Sequence, residues 1–151
     1  MTAVRLGGRG PSLPRDTEQA VSQENVDKAR GFIDAYNERD FDAAVEWFDP
    51  EIDFVLPARQ SADSGRGPAH VIGFFEGIDE TFDELRLLPQ EFVDGGDRVA
   101  TRLRHYGRSR SGAEIDEELY HQVATFRDGR IVRLEYFGDW NAALEAAGLR
   151  D

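Results

Sequence analysis

The sequence predicts an α+β domain in which a bent antiparallel sheet wraps over three helices. The elements read helix, helix, strand, helix, then four strands and a short helix, an order that gathers most strands into one half of the chain. Two β-rich runs between Glu117 and Trp140 are joined by Arg127-Asp128-Gly129, and Asp-Gly between apolar runs is a strong hairpin signal. At 151 residues the chain can build one sizeable core but not two of ordinary size.

The elements follow in order. Residues 1–20 are rich in Gly, Pro, Arg and Ser without apolar periodicity, which predicts a disordered N-terminal tail ahead of a single domain over 21–151. From Ser22, a plausible N-cap, the residues Val26, Ala29, Ile33 and Tyr36 recur at helical spacing, with Phe32 widening the stripe. Asp40 caps a short second helix with Phe41, Ala44, Val45 and Phe48 inward, and Asp49-Pro50 is expected to stop it. Glu51 to Leu56 reads as a strand. A polar loop leads to Pro68 at the first position of a third helix, whose apolar residues are Val71, Ile72, Phe74, Phe75 and Ile78.

Leu85 to Val93 reads as a strand broken at Pro89. Arg98 to Tyr106 alternates cleanly: Val99, Thr101, Leu103 and His105 share one face, while the arginine-bearing face is expected to meet solvent. Asp139 can cap a last helix that Gly148 ends.

The hairpin admits two registers, and they put different side chains inside. A two-residue turn pairs Phe126 with Ile131, whereas a three-residue loop with Gly129 in a bulge pairs Phe126 with Arg130. The bulged loop is the expectation. It sets Tyr120, Gln122 and Ala124 inward with Val132, Leu134 and Tyr136, places Tyr120 opposite Tyr136, and leaves His121 opposite Glu135 and Leu119 opposite Phe137 outside. Bulk, phenols and an amide on one face make the composition of a pocket wall.

Composition removes several classes of function. With no cysteine, disulfides, thiolate nucleophiles and cysteine metal sites are excluded, and His70, His105 and His121 lack ligand spacing, so neither metal nor other cofactor is expected. A net charge of -12 argues against nucleic acid and anionic membranes as partners. Lys28 is the only lysine among many arginines, a coding bias that points to a bacterial source. No apolar leader or run of about 18 apolar residues is present, which predicts a soluble, cytoplasmic protein.

ENVDKARGFIDAYNERDFDAAVEWFDPEIDFVLP, followed by TFRDGRIVRLEYFGDWNAALEAAGL, resembles the SnoaL-like branch of the nuclear transport factor 2-like superfamily over about Gln23 to Leu149. Asn37 to Pro57 and the closing FRDGRIVR with ALEAAGL carry the likeness most specifically. The resemblance implies a cone-shaped α+β barrel around an apolar pocket, often in a homodimer, in a superfamily that includes isomerases, epoxide hydrolases and polyketide cyclases. Fold alone selects none of these. The tyrosine, aspartate base and protonated aspartate of ketosteroid isomerases fall on Phe32, Leu56 and Gln122. The Arg-x-Asp pair and last aspartate of limonene-type epoxide hydrolases fall on Leu103, His105 and Tyr136. Neither carboxylate machinery is present.

The expected pocket residues are Tyr36, Trp47, Asp53 or Val55, Leu103, His105, Tyr120, Gln122, Leu134 and Tyr136. His105 alone among them titrates near neutrality, so it is the candidate acid or base, with Gln122 and Tyr120 as oxyanion donors. Each has a structural alternative: His105 as a core histidine held by one hydrogen bond, the two phenols as space-filling aromatics, Gln122 bonded to Tyr36 or Tyr136, Trp47 as core, and Asp53 turned to solvent by a one-residue shift. Three functions follow: binding of a small, largely apolar molecule, acid/base catalysis of an isomerase, cyclase or hydrolase type, or a non-catalytic interaction domain. Leu119, Val123 and Phe137 on the outer sheet face predict a two-fold homodimer.

Overall fold

The computed structural model describes residues 2–3 and 15–149. Of the tail expected over residues 1–20, residues 1 and 4–14 lie outside the described residues, while Thr2–Ala3 forms a short strand, β1. Helix α1 (Arg15–Asn37) begins well before Ser22, which is buried within it and is not its cap. No glycine or proline interrupts Arg15 to Ala20, so helix propensity carries the helix back beyond the apolar periodicity. The buried stripe is the expected one: Val26, Ala29, Phe32, Ile33 and Tyr36. Asp40 caps α2 (Phe41–Ala44) by accepting from the Ala43 N–H at 3.2 Å.

The remaining elements are β2 (Phe48–Val55), a 3-10 helix (Ala58–Asp63), β3 (Gly65–Arg66), α3 (Pro68–Thr81), β4 (Phe82–Asp94), β5 (Arg98–Ser109), β6 (Glu114–Glu117), β7 (His121–Arg127), β8 (Arg130–Phe137) and α4 (Trp140–Ala146). Asp49-Pro50 therefore opens the strand and does not precede it. The sheet runs β1-β4-β5-β7-β8-β2-β3, with β6 pairing β5 beside this path. It is mixed where an antiparallel one was expected: β2 runs parallel to β8, and β1 to β4. The strand that arrives from the helical half joins the edge left free by β8, far from it in sequence. Pro89 is accommodated by a register shift between Pro89 and Glu91.

The hairpin turns on two residues, correcting the expected loop. Arg127 pairs with Arg130 across Asp128 (φ 54) and Gly129 (φ 78), both left-handed as a type I′ turn requires. Phe126 then meets Ile131, and a shift after Thr125 restores the inward set at Ala124↔Leu134 and Gln122↔Tyr136. The bulge lies in the strand, at Val132, and not in the turn. Gln122, Leu134 and Tyr136 thus face inward as expected, but Tyr136 stands opposite Gln122 and not Tyr120, Ile131 takes Val132's place in the core, and Val123 stands opposite Glu135.

Two cores result. The concave face of the sheet, with α1 to α3, holds the large one. On the convex face α4 covers Val93, Ala100 and Val123 with Ala143 and Ala147, and Phe137 and Trp140 pack beside them. The outer apolar residues that grounded the expected homodimer are therefore largely accounted for, since Val123 and Phe137 pack with α4 and Leu119 turns to the concave side. The arginine face is likewise covered in part: Arg98 donates to the Ala146 carbonyl at 2.8 Å, and the Arg102 guanidinium lies 5.8 Å from the Trp140 ring. Among the described residues no helix is long and apolar enough to cross a membrane.

Candidate functional site

The inner stripe of α1 delivers Tyr36 to the middle of the concave core, and the two polar residues that follow its turn fix it there. Asn37 forms a surrogate strand pair with Leu87, donating to its carbonyl at 2.8 Å and accepting its N–H at 2.9 Å. Arg39, left-handed at φ 60, donates to the Leu85 carbonyl and to Asp79, each at 2.9 Å, with its guanidinium 4.4 Å from the Tyr36 ring. From the other side Phe75 of α3 packs on Tyr36 with centroids 4.9 Å apart, and Phe54 of β2 packs on Phe74, Phe75 and Tyr136.

Of these aromatics Tyr36, Phe74, Phe75 and Tyr136 border a cavity of 580 Å³ that opens on the concave side. Its apolar wall comes from Leu56, Phe74, Phe75, Ile78, Leu85, Leu87, Leu103 and Leu119, and its polar points are Tyr36, His105, Tyr120 and Tyr136, with Gln60 and Asp63 from the 3-10 helix. Gly73 and Gly77 of α3 also line it, and a Cβ at either would meet nothing within 4 Å. His70 ties α3 to the 3-10 helix through the Asp63 carbonyl, 2.6 Å from its Nε2.

Of the residues expected in the pocket, Tyr36, Leu103, His105, Tyr120 and Tyr136 are brought together on the cavity wall. Gln122, fully buried, stands behind it and accepts the Tyr136 hydroxyl at 2.7 Å through Oε1. Leu134 is core behind the wall and does not border the cavity. Trp47 and the Asp53 or Val55 position lie away from the cavity altogether. Asp53 faces outward and pairs with Arg66 of β3 at 3.2 Å, because Ile52, Phe54 and Leu56 claim the inward positions of the alternation. Trp47 is 40% exposed, in the turn before β2, where the Lys28 ammonium lies 4.1 Å from its ring and donates to the Gly129 carbonyl at 2.9 Å.

Two phenols of the cavity wall, Tyr36 and Tyr136, are protonated at neutral pH. Burial raises the Tyr36 phenol to about 12 against the opposing pull of Arg39, with Asp79 adding to the rise. Burial, with Tyr36 adding to it, raises Tyr136 as well. The buried Tyr36 hydroxyl has no hydrogen-bond partner among the described residues, and neither has the Gln122 Nε2. His105 is different in kind. Burial lowers it to about 4, with His121 adding to the fall, while the Glu117 backbone and Glu118 oppose it. Its Nδ1 accepts the Leu119 N–H at 3.2 Å, which makes the neutral ring an Nε2–H tautomer. A neutral ring of this kind is a hydrogen-bond donor and a weak base.

Most of the remaining wall was not expected there: Leu56, Gln60, Asp63, Leu85, Leu87 and Leu119, and the residues of α3, among them its glycines. Gly73 and Gly77 stand one turn apart, a spacing visible in the sequence that gains meaning only once α3 is placed against the cavity. Among the described residues no group of three or more His, Cys, Asp or Glu could hold a metal ion.

Comparison with solved structures defines the class first. A protein of the nuclear transport factor 2-like type, of unknown function, from Burkholderia pseudomallei superposes with a TM-score of 0.70 at 22% identity, over 81% of this chain and 95% of that one. A putative polyketide cyclase from Sinorhizobium meliloti gives 0.60 at 23%, over 74% and 94%. A protein with a ketosteroid isomerase-like fold from Catenulispora acidiphila, in complex with trimethylamine, gives 0.65 at 14%, over 82% and 93%. The fold is thus the nuclear transport factor 2-like cone. Within it the chain belongs to the SnoaL-like domain family, whose model matches residues 29–134. No curated protein matches the chain.

Proposed function

We propose that this protein binds a small, largely apolar molecule carrying an oxygen at one end. One observation carries the reading: an apolar cavity of 580 Å³ has Tyr36 in its wall, and the buried Tyr36 hydroxyl has no hydrogen-bond partner among the described residues. That volume falls within the ~300–1,000 Å³ common for small-molecule sites. A buried hydroxyl left unpaired costs roughly 1–3 kcal/mol, which a ligand oxygen accepting its proton would recover. The trimethylamine complex of one structural neighbour supports small-molecule binding by this fold. An interaction domain whose cone is filled by its own side chains fits an open cavity less well.

Fluorescence titration with 2-naphthol and naphthalene tests the reading. The protein is expected to favour 2-naphthol by about tenfold, and Tyr36→Phe to erase that preference without lowering the melting temperature. Equal affinity of the unaltered protein for both molecules would refute it.

Acid/base catalysis is the second reading, favoured by His105 on the cavity wall. The lowered pKa and the occupied Nδ1 suit His105 to polarising a carbonyl through Nε2–H more than to abstracting a proton. In that reading Tyr120 stands beside it, and Gln122 acts through Tyr136.

A further inference from the structure

On the edge of β5 that faces β6 and β7 the ladder is interrupted. β7 pairs with it from Arg98↔Thr125 to Thr101↔Gln122, and β6 from His105↔Glu117 to Arg108↔Glu114. Between them Arg102 to Arg104 face residues 118–120, which belong to no strand. Backbone N–H groups in such a gap need other acceptors. Two imidazoles supply them reciprocally: Leu103 N–H donates to His121 Nδ1, and Leu119 N–H donates to His105 Nδ1, both at 3.2 Å. Each bond requires an unprotonated Nδ1. The segment so held carries Leu119 and Tyr120, which both line the cavity.

We infer that His105 and His121 are positioning residues of the cavity, a paired latch whose neutral rings hold Leu119–Tyr120 in the wall and whose protonation releases that wall and the ligand with it. The inference rests on the binding function proposed above.

The charged surroundings set the direction of the response. Facing His105 are the Glu117 backbone, Glu118, His121 and the Tyr120 ring, with burial dominant and opposed to protonation. Facing His121 are Glu118 with its Oε1 3.6 Å from Nε2, Arg102, Asp139, and the Trp140 ring of α4. Burial lowers the His121 ring and Arg102 adds to the fall, against the opposing pull of Glu118, itself bonded to Arg102 at 2.8 Å, and of Asp139. Both rings are therefore neutral at pH 7, and both bonds fail on acidification. A protonated Nδ1 would turn an N–H against an N–H.

The experiment measures 2-naphthol affinity between pH 8 and 4 alongside hydrogen–deuterium exchange of the Leu119 and Leu103 amides by NMR, with circular dichroism monitoring the fold. The unaltered protein is expected to bind evenly down to pH 6 and to weaken at least twofold by pH 4, with Leu119 exchange rising in step. His105→Leu, which removes the acceptor, should weaken binding and accelerate Leu119 exchange at pH 7. His105→Asn places an amide oxygen where Nδ1 stood and should restore most of that loss. The double variant His105→Asn with His121→Asn should lose the acid limb.

Unchanged Leu119 exchange in His105→Leu would overturn the latch, as would an acid limb of wild-type size in the double Asn variant. If 2-naphthol binds at no pH, the binding reading fails by itself, and amide exchange still decides the latch.

Discussion

The two faces of the sheet are made by one alternation of side chains and end in opposite conditions. On the convex face, small residues let α4 settle directly onto the strands, with Ala143 and Ala147 closing over Val93, Ala100 and Val123. On the concave face, aromatics prop one another edge to face, Phe54 against Tyr136 at 5.7 Å and Phe74 against Phe75 at 5.4 Å, and space remains beside them. The side with the greater apolar bulk is the one left open. Small side chains yield to a helix, whereas rings in T-shaped contact act as struts.

Acid is the strongest way to disturb this contrast, because one latch histidine serves each face. His105 titrates at about 4 when folded and near 6.5 when unfolded, so between those values the unfolded chain binds more protons. Stability is then greatest above pH 6.5 and falls with pH through the window, by about 3 kcal/mol for this group. Urea denaturation at pH 7 and pH 4.5 should show a large part of that loss, and His105→Asn should shrink it. Equal losses in both proteins would place the acid sensitivity elsewhere.

A smaller effect probes the buried polar pair behind the cavity. Gln122→Leu removes an Nε2 without a partner but strands the Tyr136 hydroxyl, so a net cost of about 1–2 kcal/mol is expected. Adding Tyr136→Phe should return most of it, and thermal melts of the four proteins in the cycle give the coupling. Additive costs would mean that the 2.7 Å bond carries no net stability.

The smallest effect sharpens the contrast. Gly77 sits inside α3 without left-handed backbone and with nothing within 4 Å of a Cβ, so Gly77→Ala should stabilise by about 0.5–1 kcal/mol. The same methyl narrows the cavity border, and affinity for anthracene should fall more than affinity for 2-naphthol. A stabilised variant with unchanged selectivity would show that Gly77 does not shape the entrance.

What could be read in advance was whatever an unbroken period governs. Tyr36 follows from the stripe on α1, and Leu103 and His105 follow from the alternation of β5. Leu119 did not, because the alternation of β7 was extended through residues 118–120, where no strand exists and the face is no longer fixed by the pleat. The hairpin taught the reverse lesson: the turn was misjudged, yet Gln122 and Tyr136 were correctly inward because a bulge at Val132 offset the turn. Asp53 was misplaced although the alternation of Ile52, Phe54 and Leu56 turns it outward, whereas Trp47 was lost to a neighbour that local sequence does not reveal, Lys28 from α1.

The parallel pairing of β2 with β8, Phe48 beside Ile131 and Asp53 beside Arg133, also fixes when the cone can close. A ribosome must deliver the chain through the last hairpin before β2 acquires β8, so the edge of β2 that β8 will cover waits unpaired while about half the chain is still being made. Contacts of such long sequence separation are slow to form, and the interval is one in which chaperones have an unpaired edge to hold.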